Sequence, residues 1–283
     1  MAIGGEAGSR RPEHNQGAYD EWRSAVAGWT SWDDLWSQFS APVNELLVTG
    51  AWISPGMHVL DVAGGSGEPA LSLARVVGPH GHVMATDFVP GMLSVARQRA
   101  AAAALQNMDF VEADAEDLPF PDSSFDAVTC RFGLCYSGDP LCALREMRRV
   151  LKPGRRASLV TWGPFDLNPY WSAGSAALAE VLGEKTLEPP EEFCFSDPDF
   201  LAATLEAAMF ARVESALERL TLSWPGRAAE LAERDLEDDP LLGALAPGDK
   251  ERLRSSLTAA YRRFSEGGCV ELPSAVVVAS GAR

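Results

Sequence analysis

The stretch from Met57 to Val77 constrains this chain more than any other. An apolar run, Met57 to Val62, breaks into a turn carrying Gly64, Gly65 and Gly67, and apolar residues then resume at helical spacing as Ala70, Leu71, Leu73, Ala74 and Val77. The pattern predicts a strand, a tight turn and a helix. Glycines without a Cβ let a ligand lie against the main chain, and the free N–H groups at the helix start face its polar part. A ligand-free structural turn uses the same glycines, so the residues that follow must narrow the choice.

They do so by alternation. Strands are predicted over residues 82–86, 108–113, 125–130 and 157–162, with helices over 68–77, 92–105 and 140–150, and Leu151-Lys152-Pro153-Gly154-Arg155 as a turn before the fifth strand. Such alternation produces a parallel sheet with helices on both faces. Asp87 ends the second strand about twenty residues past the glycines, where an acid accepts hydrogen bonds from both hydroxyls of a ribose. Nicotinamide and adenosylmethionine enzymes share that device, so it implies a nucleoside without choosing between them. Beyond residue 163 a helix (170–182), a further helix (199–209, capped by Ser196 or Asp197), a strand (211–224), a charged helical stretch (226–266) and a closing strand (270–280) follow.

The predicted fold is α/β and Rossmann-like, a mostly parallel seven-stranded sheet with helices on both faces. The expected organisation is a disordered segment over 1–18, a helical lid layer over 19–50, a cofactor-binding core over 51–162, and the rest of the sheet over 163–283 with helical cap insertions at 163–195 and 226–266. The lid reading rests on Trp22, Trp29, Trp32, Trp36 and Phe39, which recur at spacings of three, four and seven.

Composition excludes several classes. A net charge of -16 opposes nucleic acid, which needs clustered cations. Residues 181–240 carry 15 acids against 5 bases, read as a solvated face. No stretch has the length and apolarity of a membrane span or a cleavable signal, so a cytoplasmic protein without membrane insertion is expected. Five cysteines without paired spacing suit a reducing compartment. Cys130, Cys135 and Cys142 read as small core residues, and no metal site is expected. Association with further copies of the chain stays open.

Four segments in this order, LDVAGGSGE, ATDFVPGMLSVAR, DAEDLPFPDSSFDAVTCRFGL and EMRRVLKPGRR, span about 57–162. In them the chain resembles the class I S-adenosylmethionine-dependent methyltransferases, in the branch of the ubiquinone and menaquinone C-methyltransferases (UbiE/COQ5-like). The resemblance implies S-adenosylmethionine as cofactor. It places Asp61, Ala63, Gly64, Gly65 and Gly67 under the methionine end, Asp87 on the ribose, Phe88 and Met92 beside the adenine, Asp114 on its amino group with Ala115 against the ring, and Arg131 and Phe132 near the sulfonium. Ala63 stands where the broader superfamily often has glycine, and the chain beyond 163 differs from the short ending of the quinone enzymes.

Methyl transfer disperses positive charge, so it needs alignment and desolvation, and aromatic faces suit the sulfonium. Histidine is the usual base. His58, His80 and His82 fall at the starts of strands, opposite the ligand edge, and only His14 is placed to reach it. Tyr19, Tyr136 and Tyr170 are the candidate orienting or basic groups. Trp36, Phe39, Phe165, Trp171 and Phe193 are candidates for an apolar pocket, which implies a hydrophobic aromatic or prenylated acceptor methylated on carbon or oxygen, suited to secondary metabolism. The alternatives are a protein that binds the cofactor without methyl transfer, for binding or rearrangement, and a nicotinamide-dependent oxidoreductase.

Overall fold

The computed structural model describes residues 17, 19, 20, 22–24, 26, 41–183, 188–238, 242 and 245–283. Strands β1 (His58–Val62), β2 (His82–Asp87), β3 (Met108–Glu112), β4 (Phe125–Arg131), β5 (Leu151–Trp162), β6 (Ala211–Trp224), β7 (Ser265–Glu266) and β8 (Cys269–Ala282) build one sheet. Its order is β3-β2-β1-β4-β5-β8-β6, with β7 paired on β8. The sheet therefore has eight strands and not seven, the addition being the two-residue β7. Neighbours from β3 to β5 pair in parallel, and β8 runs antiparallel to both β5 and β6.

Helix α1 covers residues 41–50, followed by α2 (Ala70–Val77), α3 (Pro90–Ala102), α4 (Pro140–Val150), α5 (Pro169–Leu182), α6 (Pro198–Ala207), α7 (Ala228–Asp238) and α8 (Pro247–Arg262). In α2 the buried residues are Ala70, Leu71, Leu73, Ala74 and Val77, the apolar face that its spacing predicts. Asp197 caps α6 by accepting from the Asp199 N–H at 2.8 Å. No helix among the described residues is long and apolar enough to cross a membrane.

Alternation along the strands divides the core. Val59, Val83 and Ala127 pack with Leu73, Ala74 and Val77 of α2, while Leu60 and Val128 pack with Leu144 and Met147 of α4 and with Leu201 and Leu205 of α6. A third cluster joins α1, α5, α7 and α8 to Trp162, Leu222, Leu272 and Val276 of the antiparallel strands.

One expectation needs correction. Leu151 to Arg155 is not a turn ahead of the fifth strand; it lies inside β5, which starts directly where α4 ends. Phe125 pairs with Leu151 and Ala127 with Arg156, so β5 uses five residues where β4 uses two. The excess is a bulge, with Gly154 at φ 75°. Asp126 holds it, meeting Lys152 Nζ at 3.0 Å and Arg155 Nη2 at 3.2 Å. Burial alone would raise the Asp126 carboxyl, but the His58 N–H and these two cations outweigh it and hold the group below its ordinary value.

The adjoining motif is also structural. Arg149 donates to the carbonyls of Leu118 and Phe120 at 2.9 and 2.8 Å and to Asp122 at 2.9 Å, and Glu146 accepts from the Leu118 N–H at 3.0 Å. The two residues clamp the loop between β3 and β4.

Candidate functional site

Strand order reverses at β1, which has β2 on one side and β4 on the other, so a crevice opens at the carboxyl ends of β1 and β4. The glycine turn sits there. Ala63 has φ 54°, Gly65 54° and Gly67 124°. The Gly64 N–H donates to Thr86 O at 2.8 Å, tying the turn to β2, and the Gly67 N–H donates to Gly64 O at 3.0 Å. A Cβ on Gly65 would meet nothing within 4 Å, so open space lies over the main chain at that point.

Ala63 imposes a condition on the turn after β4. A Cβ on Gly133 would lie 2.5 Å from Ala63 Cβ and 3.2 Å from Cys130 Sγ. Gly133→Ala is therefore expected to destabilise the protein by about 1–3 kcal/mol through overpacking. Ala63→Gly should be tolerated, because left-handed backbone suits glycine, and should restore most of the loss when combined with Gly133→Ala. Thermal unfolding of the two single variants and the double variant tests this, and a double variant no better than Gly133→Ala alone would refute it.

Three acids ring the turn. Asp61 is 0% exposed; its Oδ1 accepts from Thr129 Oγ1 at 2.7 Å, and its Oδ2 has no hydrogen-bond partner. Burial pushes its carboxyl up to about 7, with the Thr129 hydrogen bond and the Arg131 charge opposing the rise. Asp87 accepts from the Val89 N–H at 2.8 Å and the Gly65 N–H at 2.9 Å. Burial still pushes it up to about 6. Asp114 is buried after β3 and accepts from the Glu116 N–H at 3.0 Å. Met92 is buried, and Ala115 packs on the core beneath the loop.

Arg131, the last residue of β4, reaches across the crevice. It donates to Asn44 Oδ1 of α1 and to Glu68 O of the turn, each at 3.0 Å. Asn44 donates in turn to Glu68 Oε2 at 3.0 Å and lies 3.2 Å from Ser72 Oγ. Helix α1 is thus bound to the glycine turn by buried polar contacts. Asn44 has no motif around it, and its partner Arg131 is 87 residues away, so nothing local in the sequence marks it.

Phe132, at φ 58°, stacks on Trp162 at 4.4 Å between ring centroids. Trp162 meets Trp171 at 5.8 Å, Trp171 meets Phe193 at 5.8 Å, and Phe193 meets Phe165 at 5.1 Å. Phe165, Trp171 and Phe193 are therefore brought together beside Phe132, whereas Trp36 and Phe39 lie outside the described residues, as do Trp29, Trp32 and His14. Trp162 is the member that strand patterning concealed, since it reads as the last core residue of β5.

Tyr19 meets Phe88 edge to face at 5.9 Å, and Trp22 meets Tyr136 at 4.9 Å. These residues of the N-terminal helical stretch cover the ends of β2 and β4. The Tyr170 hydroxyl is held by Asp235 Oδ1 at 3.0 Å, and the Tyr261 hydroxyl by Asp235 Oδ2 at 2.6 Å. His58 and His82 start β1 and β2, at the opposite edge of the sheet, with His82 Nε2 3.1 Å from Asp109. Cys130 is buried and its thiol is pushed up to about 12 by that burial. Among the described residues no group of three or more His, Cys, Asp or Glu is arranged to hold a metal.

A sequence profile of the ubiE/COQ5 methyltransferase family matches residues 33–173. The ubiquinone/menaquinone biosynthesis C-methyltransferase UbiE of Pseudomonas putida strain F1 is 43% identical over 197 residues, 66% of this chain and 72% of that protein. The chain belongs to the ubiE/COQ5 methyltransferase family. It is an S-adenosylmethionine-dependent methyltransferase.

The fold is shared more widely than the family. The [4+2]-cyclase SpnF aligns with TM-score 0.55 at 19% identity, covering 96% of this chain and 97% of that one. Phosphoethanolamine N-methyltransferase 2 of Haemonchus contortus, solved with S-adenosyl-L-methionine, aligns with TM-score 0.52 at 17% identity, covering 85% of this chain and 52% of that one. The ubiE/COQ5 match ends within α5, so Trp171 falls at its limit and Phe193, α7 and Tyr261 lie beyond it. The chain's own residues fit the family's cofactor: a buried carboxylate oxygen without a partner faces a cradle that a Cβ at Gly64 would enter, 2.9 Å away. Acids suit both the cationic centres of S-adenosylmethionine and its ribose hydroxyls.

Proposed function

We propose that this methyltransferase transfers a methyl group to a carbon or oxygen of a hydrophobic aromatic or prenylated small molecule. The observation that carries this reading is the cluster of Phe132, Trp162, Trp171, Phe193 and Phe165 at the carboxyl edge of the sheet, next to the glycine turn. Pockets for apolar ligands are lined in this way. Similarity to the Pseudomonas putida ubiquinone/menaquinone biosynthesis C-methyltransferase supports an electron-rich ring of the reduced-quinone class.

In this reading Asp61, Ala63, Gly64, Gly65 and Gly67 hold the methionine end of the cofactor and Asp87 the ribose. Phe88, Met92, Asp114 and Ala115 enclose the adenine, and Arg131 and Phe132 stand near the sulfonium. The cofactor supplies an electrophilic methyl group. When bound, it would receive an electron pair from the acceptor, an oxygen lone pair or the π electrons of an electron-rich ring carbon; the sulfur would keep the pair of the broken sulfur–methyl bond, and the acceptor's proton would pass to solvent. An ionised phenol or hydroquinone needs no strong base, which suits an edge that His58, His80 and His82 do not reach. Tyr19 and Tyr136 remain as orienting groups, while the Tyr170 hydroxyl is committed to Asp235.

Incubation with S-adenosylmethionine and a prenylated 1,4-naphthohydroquinone should yield a product heavier by one methyl group. A product of unchanged mass would favour rearrangement and overturn methyl transfer to this class. Asp87→Ala should weaken cofactor binding by about 1–3 kcal/mol through loss of charge-assisted hydrogen bonds. Calorimetric titration checks this, and unchanged affinity would remove Asp87 from the site.

A further inference from the structure

The indole Nε1 of Trp171 is buried and has no hydrogen-bond partner. Indole nitrogen is a donor only, and leaving such a donor buried and unmade costs stability, so its presence in a folded core asks for a reason. Its surroundings are aromatic: the rings of Trp162 at 5.8 Å, Phe193 at 5.8 Å and Tyr170 at 5.6 Å stand crosswise to it.

The helical turn that carries the ring is anchored at two neighbouring residues. Three residues before it, Asn168 is 0% exposed and bonds to the main chain of Gly163, Pro164 and Ala275. One residue before it, Tyr170 is bound through its hydroxyl to Asp235 of α7. Both anchors fix the first turn of α5 to the end of β5, to β8 and to the cap. A buried, unpaired donor on an anchored helical turn beside the proposed acceptor pocket has the properties of a preorganised recognition group.

We propose that the Trp171 indole N–H binds an oxygen of the acceptor, so that the pocket selects an aromatic ring bearing a carbonyl or hydroxyl oxygen over one that is purely hydrocarbon. This rests on the acceptor pocket described under the proposed function. It adds a specificity-determining residue, and it makes an oxygen substituent a requirement of the substrate class.

The test measures binding, so that it does not depend on turnover. A short-chain prenylated 1,4-naphthoquinone and the matching prenylated naphthalene are titrated into the full-length protein saturated with S-adenosylhomocysteine, for the wild type and for Trp171→Phe. Phenylalanine keeps a ring in place and removes the N–H. The wild type should bind the quinone at least about tenfold more tightly than the hydrocarbon, as one buried hydrogen bond predicts. Trp171→Phe should bind the two within about twofold of each other, with unchanged affinity for S-adenosylhomocysteine.

Equal preference for the quinone in both proteins would overturn the inference. Failure of the wild type to bind either probe would overturn it together with the apolar-pocket reading. Loss of preference in Trp171→Phe without methylation of the reduced quinone would uphold the inference and reject only the proposed methyl acceptor.

Discussion

Affinity for S-adenosylmethionine is expected to fall about tenfold for each pH unit below 7, down to the range where the bound-state carboxyl titrates. In the proposed site the group responsible is Asp61, whose burial raises its carboxyl to about 7 while the Thr129 hydroxyl and Arg131 oppose it and the Glu68 carboxylate reinforces it. A cationic ligand favours the ionised form, so binding below that value must expel a proton. Titration calorimetry in two buffers of different ionisation heat, over the range from acidic to mildly alkaline, should show proton release that Asp61→Asn abolishes. Unchanged proton release in that variant would transfer the effect to Asp87, raised to about 6.

The same group has the opposite consequence for the ligand-free fold. Its folded-state value lies above the unfolded value of 3.8, so its contribution to stability is complete below that value and is lost as pH rises to about 7. Asp61→Asn should therefore raise the melting temperature of the ligand-free protein on the alkaline side while weakening cofactor binding.

Asn168→Ala should lower stability by about 3–5 kcal/mol and the melting temperature by roughly 10 °C. The side chain lies 3.2, 3.0 and 3.1 Å from the carbonyls of Gly163, Pro164 and Ala275 and accepts the Ala275 N–H at 3.1 Å. Alanine leaves these groups buried without that partner. Because α5 carries Trp171, acceptor turnover should fall as well, whereas cofactor affinity, which the proposed site places on elements before residue 133, should hold. Differential scanning calorimetry and cofactor titration separate the two effects. A loss of cofactor affinity equal to the loss of turnover would show that the two halves of the site are not independent.

Much of the geometry around the glycine turn was legible because it is set locally. The apolar face of α2, the acids ending β1 and β2, and the turn between them are each set within a few residues by spacing and by the need for glycine. The bulge in β5 was hidden, since Lys-Pro-Gly-Arg has the composition of a turn and becomes strand only through Asp126 on the neighbouring β4. The polar link of Asn44, Glu68 and Arg131, the clamp of Asn168 and the bridge from Asp235 to two tyrosines join residues far apart in the chain, and no periodicity announces them. Trp162 was hidden for another reason: a tryptophan ending a buried strand looks the same whether it fills a core or walls a pocket.

The sheet order bears on how the chain is made. The open edge of β5 is covered only when β8 arrives, Trp162 pairing with Val276 and Arg156 with Ala282. More than a hundred residues separate the partners, so at ribosomal rates of about 5–20 residues per second the β5 edge waits roughly 6–25 s after its own emergence. During that interval a row of unpaired N–H and C=O groups flanked by Leu159 and Val160 is available to any other extended segment. Slower translation before residue 269, or scarcity of chaperones that shield strand edges, should cost soluble yield, and the loss should fall on newly made chains while leaving completed ones untouched.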